Sequence, residues 1–272
     1  MDPLMFLIIL FFVAFFCEYI DSSLGMGYGT TLTPLLLILG YAPLVIIPAI
    51  LMSEFIIGIF AAFMHHKIGN VKFDFRNDPN HKLIKKMGRL GYIPRSNASK
   101  IALVLAACSL FGAAIAAVVA INIPPFYLKL FIGVIVFSMG FLILLKRNAR
   151  HDFSWKKIIG LGILASFNKG LSGGGYGPLV TSGQILSGVD SKSSVAITSL
   201  AESFTCLVGV STFLLLGNTV DLKIFLVLLA GAVTSVPFST RTVKRLKVKN
   251  FTTLVGIATL VLGLFTLFKV IF

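Results

Sequence analysis

Few residues of this 272-residue chain have the type and placement to do chemistry, and they gather at two glycine-rich segments. The first runs Ser22-Ser23-Leu24-Gly25-Met26-Gly27-Tyr28-Gly29-Thr30-Thr31, and the second Asn168-Lys169-Gly170-Leu171-Ser172-Gly173-Gly174-Gly175-Tyr176-Gly177-Pro178. Backbone this rich in glycine holds a regular helix poorly. A helix restarting after such a break presents unpaired N–H groups and the positive end of its dipole, which suits a small anion. The candidate binding residues are Gly25, Gly27, Tyr28, Gly29 and Thr30 in the first segment, and Asn168, Lys169, Gly173, Gly174, Gly175, Tyr176 and Gly177 in the second. A competing reading is that the glycines serve close helix packing. Two clusters flanked by Ser, Thr, Asn and Lys favour binding over an isolated Gly-x-Gly. A dinucleotide-binding role fails, because no strand precedes either cluster.

Lys169 is a cation beside a break and far from the other basic residues. Two readings stand: it pairs with an anionic substrate, or it snorkels or pairs with Asp21, the residue at the corresponding position of the first segment. Glu54 and Glu202 are the only charges within their apolar stretches. They are coupling candidates for a proton or sodium ion, or structural groups bonded to nearby broken backbone. Glu18 and Asp21 sit at the end of the first apolar stretch and are expected to face water. Tyr28 and Tyr176 either donate to an anion or anchor the chain at an interface. No catalytic set is found: His65, His66, His81 and His151 fall in basic loops, away from any intramembrane nucleophile. Cys17, Cys108 and Cys206 lie in apolar segments without metal spacing and read as packing residues. No metal, cofactor or enzymatic activity is expected.

The elements that must position these groups follow from composition. Hydrophobic residues make up 57% of the chain and charged ones 12%, far from a soluble mixture. Long apolar stretches recur at 4–20, 43–64, 100–121, 125–145, 193–216, 222–238 and 251–272, near the ~20 residues a membrane helix needs. Shorter ones lie at 30–40, 158–167 and 175–188, beside the glycines. The net charge of +14 is concentrated: 65–100, 146–157 and 239–250 hold nine, five and five of the 24 Lys and Arg. Cationic loops between apolar helices mark the cytoplasmic side, which argues against nucleic acid and for contact with membrane lipid. The long stretch 67–99 reads as a solvated loop, with an amphipathic surface segment as the alternative. The first apolar stretch lacks a basic leader and reads as a retained membrane segment.

The two glycine segments belong to an internal repeat. Gly25, Gly27, Tyr28, Gly29, Thr33, Gly40 and Glu54 recur, at an offset of 148, as Gly173, Gly175, Tyr176, Gly177, Thr181, Gly188 and Glu202. The chain therefore divides at 1–147, which includes the basic loop 65–100, and 148–272. The loop after the Glu54 helix is the most basic in the chain, whereas Gly217-Asn218-Thr219-Val220-Asp221 after the Glu202 helix is nearly neutral. Equivalent loops thus face opposite sides. The expected fold is an all-α integral membrane protein of two inverted-topology repeats, about four to five helical segments each, with broken or re-entrant helices at the glycine-rich motifs. Both termini are expected outside. Whether the short segments cross or re-enter stays open, because either satisfies the loop charges.

At these paired glycine motifs the sequence resembles the TauE/SafE family of membrane proteins, over roughly 15–66 and 160–216. The resemblance implies a secondary transporter, an exporter, of small sulfur oxyanions or organosulfonates such as sulfoacetate, in the cytoplasmic (inner) membrane of a prokaryote. It carries Gly25, Gly27, Gly29, Gly173, Gly174, Gly175 and Gly177 over as the scaffold of the substrate site, with Asn168 and Lys169 beside it. The expected partners are a small anionic substrate, lipid and a coupling proton or sodium ion. An anion channel, or transport of small carboxylates, is the alternative, and a membrane-embedded enzyme is remote.

Overall fold

In a computed structural model the described residues are 3–76, 93–146, 154–245 and 248–271. They form ten helices, five in each half of the chain. The first half holds α1 (Pro3–Leu24), α2 (Tyr28–Ile38), α3 (Pro43–Ile68), α4 (Asn97–Asn122) and α5 (Pro125–Lys146). The second holds α6 (Trp155–Ser172), α7 (Tyr176–Leu186), α8 (Ser191–Leu215), α9 (Leu222–Arg245) and α10 (Val248–Ile271). A two-residue ladder, β1 (Phe75–Arg76) with β2 (Ile93–Pro94), closes the base of the loop between α3 and α4. Most of the basic stretch between them, 77–92, lies outside the described residues, as do His81 and His151.

Five helices among the described residues are long and apolar enough to cross a membrane: Leu4–Leu24, Pro43–Ile68, Asn97–Asn122, Ser191–Leu215 and Leu222–Arg245. Their outward faces carry large apolar side chains, such as Phe12, Phe16, Phe111 and Phe238, as contact with lipid requires. The chain is a multi-pass, all-helical membrane protein. By contrast α2 and α7 have 11 residues each, about 16 Å of helix, half the thickness of the hydrocarbon layer.

Local chemistry sets the helix ends. Pro43 starts α3, where its missing N–H costs nothing, and Gly69 ends it in the left-handed conformation. Ser96 caps α4 by accepting from Ser99 N at 3.1 Å, and Asp190 caps α8 by accepting from Ser193 N at 3.0 Å.

The helices pair in a pattern that survives exchange of the halves. α4 packs on α6 as α9 does on α1, and α4 on α8 as α9 does on α3. α3 packs on α8 and α5 on α10, pairings that exchange into themselves. That is the arrangement an inverted duplication would give. In the α5–α10 pair the backbones touch at Gly140 and Gly263, where a Cβ would strike Leu260 and Phe137 backbone.

Each long-short pair, α1–α2 and α6–α7, is a hairpin that returns to the end of the bundle where it began. The start of α1 lies beside the end of α2, with Phe6 and Tyr41 stacked at 5.8 Å. Yet the far end of α1 reaches the opposite end of α3, where His65 Nε2 donates to Ser22 O at 2.9 Å. At that opposite end Asn70 bonds Thr240 O at 2.9 Å, Asp74 N bonds Ser99 Oγ at 2.9 Å, and Trp155 shares a cleft with Asn97 and Gly188 to Asp190. The second hairpin therefore opens at the end of the bundle opposite the first.

Candidate functional site

The two hairpins meet tip to tip. α1 stops because Gly25 takes a left-handed φ of 68° and its N–H returns to Asp21 O at 2.6 Å; Gly27, at φ 144°, then swings the chain into α2. α6 stops likewise at Gly173, φ 71°, with its N–H on Lys169 O at 2.8 Å, and Gly175, φ 75°, starts α7. Side chains are disfavoured at these four angles, so glycine is needed there for conformation. Gly29, Gly174 and Gly177 are needed for space. A Cβ on Gly29 would strike Gly173 O, one on Gly177 would strike Gly25 O, and one on Gly174 would lie 2.7 Å from the Gly29 carbonyl. The breaks thus touch through backbone, and the packing role that the sequence offered as a rival is present at the same place as the candidate site.

Two threonines lock the contact, each from the opposite half. Thr181 Oγ1 donates to Gly25 O at 2.7 Å and bonds Thr198 Oγ1 at 2.8 Å. Its repeat counterpart Thr33 lies over Gly173, 3.0 Å from where a Cβ would stand, but its hydroxyl has no hydrogen-bond partner. Gly175 N donates to Thr30 Oγ1 at 2.9 Å. Sequence reasoning did not assign Thr33 or Thr181 to the site, although both are among the seven repeated residues.

Lys169, in the last turn of α6, is fully buried and held between Glu54 of α3 and Glu202 of α8. Its Nζ lies 2.8 Å from Glu202 Oε1 and closer still to Glu54 Oε2. The ion-pair reading of Lys169 holds with different partners: the two glutamates in place of Asp21. Asp21 instead accepts from Tyr28 N at 3.2 Å, and Glu54 Oε1 accepts from Gly29 N at 3.2 Å. The first amides of α2, which the sequence left for an anion, are occupied by carboxylates of the protein itself. The other oxygen of Glu54 also faces Cys206 Sγ at 3.7 Å.

Glu18 and Asp21 do not face water. They are 2% and 8% exposed, because α1 continues past them to Leu24 and carries both into the bundle. Glu18 accepts from Ser22 Oγ. His65 is likewise not in a loop: α3 extends beyond its apolar stretch to Ile68, and the buried imidazole bonds Ser22 O at 2.9 Å and Asn70 Nδ2 at 3.0 Å. Asn70 Nδ2 can only donate, so Nδ1 accepts and Nε2 carries the proton to Ser22 O.

Glu18, Asp21, Glu54 and Glu202 line one narrow cleft with Ser199 and Gly58. Its volume, about 10 Å³, is near the least that holds one water. Of these four carboxylates Glu54 and Glu202 pair with Lys169. Buried charges need partners or must be neutralised. Among the described residues no group of three His, Cys, Asp or Glu is arranged for a metal ion. Tyr28 and Tyr176 are both fully buried, and Tyr28 Oη lies 3.2 Å from Ser53 Oγ. Asn168 is buried, with its Nδ2 unpartnered.

Residues 87–266 match the model of the family described as "Sulfite exporter TauE/SafE". The chain is similar to the "Probable membrane transporter protein YtnM" of Bacillus subtilis (strain 168), at 27% identity over 184 residues. That alignment covers 64% of this chain and 53% of the relative, so the match spans about half the relative's length. No solved structure matches the chain.

Proposed function

The chain belongs to the sulfite exporter TauE/SafE family, and from that premise we infer that it is a secondary transporter of small anions, sulfite or organosulfonates such as sulfoacetate. The single observation that carries this reading is Lys169, a buried cation at the contact of two oppositely directed hairpins, beside the N-terminus of α2. A sulfonate spreads one charge over three oxygens. Lys169, the unpartnered Asn168 amide and Thr33 hydroxyl, and the α2 amides now held by Asp21 and Glu54 are donors of the type it needs. Rocking of one hairpin against the other would open this point to each side in turn, as in other inverted-repeat carriers.

The described helix ends and adjoining loop residues on the Trp155 side carry Lys67, Lys72, Arg95, Lys100, Lys156, Lys157, Lys244 and Arg245, and we place that side in the cytoplasm of a prokaryotic cell, with both termini outside. Glu54 and Glu202 are the coupling groups. Export is the direction that the family name carries. The test is uptake of labelled sulfoacetate into proteoliposomes. Saturable uptake that sulfite inhibits and acetate does not is the expected result; equal inhibition by acetate would move the substrate class to small carboxylates.

A further inference from the structure

Glu54 occupies the place of an anion. Its two oxygens take the Gly29 N–H at the start of α2 and the Lys169 ammonium, which are a helix N-terminus and a cation converging on one carboxylate. The cleft beside it, about 10 Å³, has no room for a second anion. Thr33 Oγ1 and Asn168 Nδ2, both at least nine-tenths buried at the second break, lack the partners that a bound oxyanion would provide.

We propose that Glu54 is a built-in competitor for the substrate, so that an oxyanion enters only as the Glu54 carboxylate takes a proton and leaves Lys169. This rests on the transport reading above. The charge balance follows from the neighbours. Glu54 is faced by Lys169 from α6, Glu202 and Cys206 from α8, Glu18 and Asp21 from α1, and Tyr28 from α2. Apart from Lys169 these groups are acidic or neutral, so a displaced Glu54 carboxylate finds no second cation among them. Left charged and unpaired it would be costly to bury, and a proton from water on the open side removes that cost. Lys169 keeps Glu202 at 2.8 Å and exchanges Glu54 for the sulfonate, so the proton on Glu54 balances that one charge; the carboxylate of sulfoacetate remains as a second charge.

The consequence is a sign. Anion and proton are bound together and cross in the same direction, as a symport. An inward proton gradient then favours uptake; a singly charged anion leaves on its own gradient alone, whereas a dianion such as sulfoacetate keeps one net negative charge beside the proton and is also driven outward by the membrane potential. The opposite arrangement, in which substrate displaces a proton, does not follow from this geometry.

The experiment is sulfoacetate binding to the full chain in detergent between about pH 6 and pH 9, where the probe's own carboxylate stays ionised. Two readouts are taken: the Kd at each pH, and the protons taken up in weakly buffered solution. The expected result is a Kd that tightens by up to about tenfold per pH unit on acidification, with about one proton taken up per anion bound. In Glu54→Gln the pH dependence should vanish. Because proton uptake is read on the unmodified chain, the outcome stands even if that variant does not fold. Binding with a flat or inverted pH dependence, or with proton release, overturns the competitor proposal and leaves the transport reading intact. Failure to bind sulfoacetate, sulfite, sulfate or thiosulfate at any pH overturns both.

Discussion

Replacing Lys169 with Met tests the charge cluster without reference to any substrate. The substitution keeps the buried stem and removes the ammonium, leaving Glu54 and Glu202 facing each other across the α3–α8 contact with no cation between them. Removing one partner of a buried pair costs about 3–5 kcal/mol, chiefly because the other charge stays buried. At ~2–4 °C per kcal/mol for a chain near this size, the expected drop in Tm is about 6–20 °C at neutral pH. Its pH dependence follows from linkage. A folded variant that must hold protons on its unpaired glutamates binds more protons than its unfolded chain, so its stability rises on acidification and falls as pH increases. The deficit relative to wild type should therefore shrink towards pH 5 and widen towards pH 8. The triple variant Lys169→Met, Glu54→Gln, Glu202→Gln, which buries no net charge at these positions, should recover most of the loss and show little pH dependence. Thermal unfolding in detergent, followed by intrinsic fluorescence, reads all three. Equal destabilisation of the single and triple variants would refute the reasoning, since the loss would then come from packing and not from unpaired charge.

Other consequences can be checked on the same preparation. Gly174→Ala should lower Tm and abolish transport, because its Cβ would sit 2.7 Å from the Gly29 carbonyl and force the breaks apart; Gly160→Ala, with nothing within 4 Å, should be neutral or slightly stabilising. Thr181→Val removes the donor to Gly25 O and the bond to Thr198 and should cost about 1–3 kcal/mol, read as a shift in Tm. Thr33→Val, whose hydroxyl is unpartnered in this state, should leave Tm nearly unchanged and weaken sulfoacetate binding. A Thr33→Val chain that binds sulfoacetate as wild type does would remove Thr33 from the site.

The fold was largely legible because a membrane chain states its elements in long apolar runs. The repeat was legible through glycine, tyrosine and glutamate at one offset. What those patterns could not decide was depth. The apolar run of α1 ends near Ile20, yet the helix continues through Asp21 to Leu24, and only packing against α9 and α2 shows that Glu18 and Asp21 are carried inward. His65 sat at the boundary of apolar and basic sequence, and its tie to Ser22 O spans 43 positions. Partner choice was also beyond one-dimensional reasoning. Lys169 was aligned with Asp21 by the repeat, whereas helix packing sets it against Glu54 and Glu202. The glycine segments drew two rival readings from sequence; in the structure Gly25 and Gly173 serve conformation while Gly29 and Gly177 serve close approach.

Counterflow tests the transporter reading most directly. Proteoliposomes loaded with unlabelled sulfoacetate are diluted into a trace of the labelled compound, with the membrane potential clamped at zero. A carrier whose single site is exposed alternately to each side predicts transient accumulation of label above its equilibrium level, saturating with internal sulfoacetate and absent in Lys169→Met. Label that rises only to equilibrium, together with single-channel currents carried by the same anion, would contradict alternating access and show a pore.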